Sequence, residues 1–324
     1  MRSYPHAFAA ALLLASMPWF VPLASAKEIS FMSASPYQLA DLIRTKNPGY
    51  GVKIRANLIY PTTISGTVPV FIFLHGSGGR LARHQRFLTL ARKLGFATLQ
   101  IDSFGPRGVS STIGSQSNVT AAMMTIDLLR ALKFLAADRR TDARKIVVMG
   151  SSKGAIAALY ASWNPIRQKV VGSLDFAAYL LLYPLCVAIQ DGRVTTNPVR
   201  VFIGEKDNWT PAAPCVQQAM RMKRRGRDWT VTLYKDSYHA FDAPIGVPRL
   251  IPNAFSMVGC SVALRADGIE YETKSGLLLT REQRRRAFGK CVRRGFVKIG
   301  GPAAAAAAFF KDLEVFLRSS LQKK

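Results

Sequence analysis

The chain has 324 residues and carries 45 Lys and Arg against 19 Asp and Glu, a formal charge of +26 at pH 7. That length accommodates one large domain behind a leader, and such a surface attracts polyanions unless it is simply a solvated basic face. Beyond the leader no segment is long and apolar enough to span a bilayer, no CxxC or CxxH spacing supports a metal, and no specific nucleic-acid signature or interleaved aromatic platform accompanies the charge.

Residues 1–26 read as a signal peptide rather than as part of the fold. Arg2 supplies a positive start, "AFAAALLLASMPWFVPL" an apolar core broken by Pro18 and Pro22, and "ASA" a small-residue end. Cleavage after Ala26 leaves residues 27–324 as a single exported domain, periplasmic or secreted. All four cysteines (Cys186, Cys215, Cys260, Cys291) fall in that part, where an oxidising compartment favours disulfides. Four cysteines allow three connectivities. Pairing in chain order is the simplest.

Strands and helices then alternate. "VKIRANLIYP" (52–61) has the alternation of a half-buried strand, and "VPVFIFLHG" (68–76) is the continuous β-rich run of a strand covered on both faces. A helix follows over 85–94 and stops at Gly95. Next come the strand "FATLQID", a helix near 119–137, the strand "KIVVMG", and a helix opened by Ser152. The strands "YLLLYP" and "VRVFIG", a helix near 211–224 and the strand "TVTLYK" complete the series. Such alternation predicts an α/β domain with a mostly parallel sheet flanked by helices. Residues 248–301 break the rhythm and hold two cysteines, as an excursion before the last helix. Phe309, Phe310, Leu313, Phe316 and Leu317 recur at helical spacing and place that helix after an alanine run.

Catalytic candidates cluster at strand ends, where such sheets bind ligands. Gly150, Ser152 and Gly154 lie at a strand-to-helix turn, and small neighbours let the backbone fold sharply enough to present the Ser152 hydroxyl. A serine needs a base. His6 leaves with the signal and His84 starts a surface helix, so His239 in "YKDSYHAFD" is the candidate. Asp207, just past "VRVFIG", is the acid that would orient it, with Glu205 and Asp242 as rivals. "FLHGSGG" follows the first buried strand, where glycines let backbone amides point inward. The amides of Ser77 and Lys153 are the expected oxyanion donors.

In "FLHGSGG", "IDSFGPRG", "GSSKG", "GEKDNWTPAAPC" and "YHAFD" the sequence resembles the dienelactone hydrolase family of the α/β-hydrolases, with a serine where those enzymes place a cysteine. The resemblance implies an α/β-hydrolase fold and hydrolysis of ester or lactone bonds, with no metal or organic cofactor. It makes His75 and Arg107 candidates for substrate binding, although Arg107 can equally hold its own loop by bonding Asp102 or backbone carbonyls. Neighbouring parallel strand ends would also bring Cys186 to Cys215, bracing Asp207. That leaves Cys260 with Cys291 to pin the excursion. The expected partner is a small-molecule ester or lactone, anionic ones included. The competing class is a non-catalytic envelope protein that holds polyanions on its basic surface.

Overall fold

The computed structural model describes residues 26–45, 51–62, 66–243 and 246–322. The expected signal peptide therefore lies outside the described residues, apart from Ala26. The chain runs β1 (Ala26–Ser33), α1 (Leu39–Arg44), β2 (Val52–Ile59), β3 (Val68–Leu74), α2 (Gln85–Lys93), β4 (Ala97–Asp102) and α3 (Ala121–Ala136). It continues through β5 (Thr141–Ser151), α4 (Lys153–Ala161), α5 (Asn164–Val171), β6 (Ala178–Leu182), β7 (Ala188–Ile189), β8 (Val199–Gly204), α6 (Ala213–Lys223) and β9 (Trp229–Tyr234). The excursion holds β10 (Arg249–Ser256), β11 (Val262–Leu264), β12 (Glu270–Glu272), α7 (Arg284–Cys291) and β13 (Arg293–Ile299), and α8 (Ala303–Gln322) ends the chain.

Eight strands form one sheet in the order β1-β2-β4-β3-β5-β6-β8-β9. The pairs β1–β2 and β2–β4 are antiparallel, and every pair from β4 to β9 is parallel. The parallel strands are covered on both faces, which is why β4 and β6 are buried along their whole length and β6 reads as an unbroken apolar run. β1, at the antiparallel edge, escaped the sequence pattern because it abuts the leader. The short α5 escaped it too; it starts on Asn164-Pro165, with Pro in the first turn where its missing N–H costs nothing.

The alanine run does begin a helix, and Phe309, Leu313 and Leu317 of α8 recur every four residues on its buried stripe. Phe309 is the centre of that contact. Its ring meets those of Phe87, Phe202, Tyr234 and Phe241 at 5.3–6.1 Å, so α8 is clamped to α2, to β8, to β9 and to the segment after His239.

The excursion forms a cap on two small sheets. β10 pairs with β13 antiparallel, and β11 lies between β12 and the two-residue β7. Disulfides join Cys186 to Cys215 and Cys260 to Cys291. The first ties the segment after β6 to the start of α6. The second ties the approach to β11 to the last residue of α7. Each closes a loop of about 30 residues, which restrains the unfolded chain by roughly 3–4 kcal/mol in the entropy model.

Two substitutions test this packing. Phe309→Ala opens a cavity among those four aromatic rings and is expected to cost about 3–5 kcal/mol in urea unfolding. Gly154→Ala would set a Cβ 2.3 Å from the Leu74 carbonyl oxygen, backbone that cannot swing aside. It is expected to cost about 1–3 kcal/mol, seen as a lower Tm by differential scanning calorimetry.

Candidate active site

β5 ends at Ser151 and α4 begins at Lys153, so Ser152 alone makes the turn. Its backbone sits at φ 50°, ψ −116°, a region that L-residues avoid. Two glycines make the turn sterically possible. A Cβ on Gly150 would stand 2.2 Å from the Gly154 carbonyl oxygen, and one on Gly154 would run into the carbonyls of Leu74 and His75. Strain is concentrated here. Of the four non-glycine residues with positive φ among the described residues, Ser152, Tyr183 and Ala240 border one cavity, and Asp236 lies three residues before His239.

Ser152 Oγ lies 3.0 Å from His239 Nε2, and His239 Nδ1 lies 2.8 Å from Asp207 Oδ2. A carboxylate can only accept, so Nδ1 carries the proton and Nε2 is left to accept from the serine hydroxyl. The acid is held in turn. Asp207 Oδ1 accepts from the amides of Trp209 and Thr210, both at 2.9 Å, and Thr210 Oγ1 stands 3.2 Å from Oδ2. The rings of Tyr183 and Trp209 flank the imidazole at 4.6 and 5.0 Å. His239 and Asp207 are buried, while Ser152 is half-buried at the cavity wall. The rival acids point elsewhere: Asp242 accepts from the Tyr183 hydroxyl, and Glu205 is exposed beside the Asp236 amide.

Both loops are fixed from the side of the cap. The Trp209 carbonyl accepts from the Met257 amide, and Asn208 accepts from Ser256 Oγ and from the Lys298 amide. His239 bridges to Ile299, and its carbonyl accepts from the Gly300 amide at 2.7 Å. Gly204, at the end of β8, lets the histidine loop lie flat; a Cβ there would stand 2.3 Å from the Ser237 carbonyl oxygen.

The "HGSGG" loop lies directly against the turn, since a Cβ on Gly76 would sit 3.1 Å from that of Ser152. Ser77 and Lys153 line the cavity, and among the described residues neither backbone amide donates within the protein. The cavity measures about 1050 Å³. Its floor holds Ser152 and His239, and its roof is the cap: Ile251, Phe255, Met257, Val262, Leu279, Phe288 and Val292. Arginines rim it. Arg281 stacks over Tyr37, Arg284 over Phe288 and Arg294 over Phe255, with Arg83 and Arg285 beside them. The cavity's carboxylate Glu270 is already bonded to the Tyr160 hydroxyl and to Arg284.

Two of the expected substrate contacts are placed differently. His75 is fully buried and does not line the cavity. Its Nδ1 donates to the Gly76 carbonyl and its Nε2 accepts from the Ser103 amide, because burial keeps the ring neutral with one donor and one acceptor. Arg107 is also away from the cavity. It pairs with buried Asp127 at 2.7 Å and donates to the carbonyls of Ser103 and Ala34, whereas Asp102 faces Arg80. His84, expected at the surface, is buried on the cavity wall against Phe73 and Phe87; burial pushes its pKa down to about 3. Sequence reading assigned no role at the site to Thr210, Tyr183, Trp209 or the rim arginines, which meet it only through loop packing.

The sequence profile of the dienelactone hydrolase family matches residues 109–247. No curated protein matches by sequence. Among solved structures, a dienelactone hydrolase-like promiscuous phosphotriesterase from metagenomic libraries has a TM-score of 0.55 at 15% identity, covering 90% of this chain and 98% of that one. The structure titled m3DLH has a TM-score of 0.52 at 18% identity, covering 68% and 86%. A butyrate-bound esterase of Thermogutta terrifontis stands at 0.48 and 17%, covering 68% and 86%. The chain thus has the α/β-hydrolase fold and carries the sequence signature of the dienelactone hydrolase family across the segment that holds Ser152, Asp207 and His239.

Proposed function

We propose that the protein is an exported serine hydrolase of carboxylic esters or lactones, acting through Ser152, His239 and Asp207. The unbroken hydrogen-bonded chain Ser152–His239–Asp207, on the floor of a cavity large enough for a drug-sized ligand, is the observation that supports it best. His239 Nε2 takes the hydroxyl proton as Ser152 Oγ attacks the carbonyl carbon. Asp207 stabilises the imidazolium without being protonated. The amides of Ser77 and Lys153 hold the oxyanion, and the imidazolium returns its proton to the departing alkoxide. Water, activated by the same imidazole, then releases the acid and restores the serine. None of these steps calls for a metal or an organic cofactor.

The arginine rim favours substrates with a carboxylate or another anionic group away from the scissile bond. Guanidinium planes stacked on aromatic rings leave their N–H edges free for planar anions. Residues 1–26 would be removed on export, leaving 27–324 as one domain whose two disulfides suit an oxidising compartment. The polyanion-binding alternative draws on the overall charge of +26.

Incubation with a fluorophosphonate, followed by intact-mass analysis, is expected to give one adduct on the wild type and none on Ser152→Ala. Well-folded wild type without an adduct, but retained on a heparin column, would put the polyanion-binding alternative first. Asp207→Asn is expected to lower kcat by roughly 10⁴-fold, because the amide fixes the wrong imidazole tautomer. Among esters of equal length, those with a distal carboxylate should have the higher kcat/KM, and that advantage should shrink in high salt and in Arg281→Ala.

A further inference from the structure

One buried cation beside the turn has no part in the steps above. The Lys153 side chain runs back under the loop 110–119, and its ammonium donates three hydrogen bonds: to Thr112 Oγ1 at 2.8 Å, to the Val119 carbonyl at 2.7 Å and to the Gln116 carbonyl at 3.2 Å. The residue is 4% exposed, so water does not complete its shell. Among the described residues no carboxylate lies within ion-pairing distance of it. The charged group acting on it is Arg284 of the cap, which Glu270 partly neutralises.

That loop is in turn bonded to the other expected oxyanion donor. The Thr112 amide and Ser111 Oγ both donate to the Ser77 carbonyl, at 2.8 and 3.1 Å, and Ser77 Oγ donates to Gln116 Oε1. Contact between the two backbones is close. Gly79, at φ +75°, has no room for a Cβ, which would stand 2.6 Å from the Ser110 carbonyl oxygen. One ammonium therefore fixes the loop that fixes Ser77, and it belongs to the residue whose own amide is the second donor.

We propose that Lys153 is a positioning residue whose ammonium, through the loop 110–119, holds the Ser77 and Lys153 amides at the spacing that a developing oxyanion requires. The proposal rests on the esterase function above. A buried polar group with three partners rigidifies its surroundings, and an oxyanion donor acts through distance to the developing charge. Burial also pushes the Lys153 pKa down, to about 7. A neutral amine has two N–H groups for three acceptors, so one loop contact is lost as pH rises through that value. The falling limb of the kcat profile therefore belongs to Lys153.

The test is the pH profile of kcat for the full-length exported protein and for Lys153→Met, which keeps the unbranched apolar stem of the side chain without its donors. Intact-mass labelling with a fluorophosphonate and the Tm of both proteins are recorded alongside. Wild type is expected to label and to lose kcat above about pH 7. Lys153→Met should still label, more slowly, with kcat at pH 6.5 down roughly 10- to 100-fold, KM little changed and no falling limb. Equal kcat and an identical falling limb in both proteins would overturn the proposal. If Lys153→Met does not fold, Thr112→Val and Gln116→Ala decide: full kcat in both, with the limb unmoved, would also overturn it. Wild type that never labels would instead remove the esterase function itself.

Discussion

The backbone of Ser152 is held at φ 50°, and the rest of the site is arranged around that single strained residue. A strand that simply ran on would bury its last side chains between sheet and helix. Reversing the backbone at one residue lifts the hydroxyl out of the sheet and starts α4 at once. The cost of about 1–3 kcal/mol for such a conformation is sustained only where the surroundings leave no alternative. Here they do not: β3 and β6 hold both sides of β5, and α4 lies so close to β3 that a glycine is required at Gly154. The Ser152 amide donates to the Leu182 carbonyl, so the neighbouring strand fixes even the reversed peptide.

From that fixed point the imidazole and its carboxylate must be brought within hydrogen-bonding reach on two separate loops. A loop alone would not hold them, because each extra ordered residue costs conformational entropy. The cap supplies the missing bonds. Its strands take the carbonyls of Asn208 and Trp209 on one side and that of His239 on the other, and the chain then enters α8, which packs on Phe241. Cap, acid loop and histidine loop therefore form one bonded unit. The disulfides restrain that unit at two points, one beside α6 and one between β11 and α7.

Charge is distributed to match. The general surplus of Lys and Arg is largely solvent-facing, where each group contributes little. Around the cavity Arg281, Arg294 and Arg284 stack on Tyr37, Phe255 and Phe288, and Arg284 is also paired with Glu270. Deeper in, Arg107 and Asp127 form a buried pair that braces the loop after β4 from behind, away from the cavity. The resemblance that nominated Arg107 reached the right loop. It missed the facing helix, whose Asp127 captures the guanidinium.

Local chemistry was legible without the fold. Apolar runs marked the buried parallel strands, because a strand covered on both faces has no polar side to show. The glycines around Ser152 marked the turn, because only they tolerate its close approach, and the chain order of Ser152, Asp207 and His239 could be read from strand ends. Contacts made by side chains from distant loops could not. Whether His84 is exposed, which carboxylate Arg107 meets, and that Lys153 ties two loops together all depend on which surfaces the sheet brings face to face. So does the cap, whose short strands pair only with partners tens of residues away and leave no periodic trace. Sequence determines what each segment can do alone. The tertiary structure decides which neighbour it meets, because burial and hydrogen bonding at these positions are properties of two segments at once.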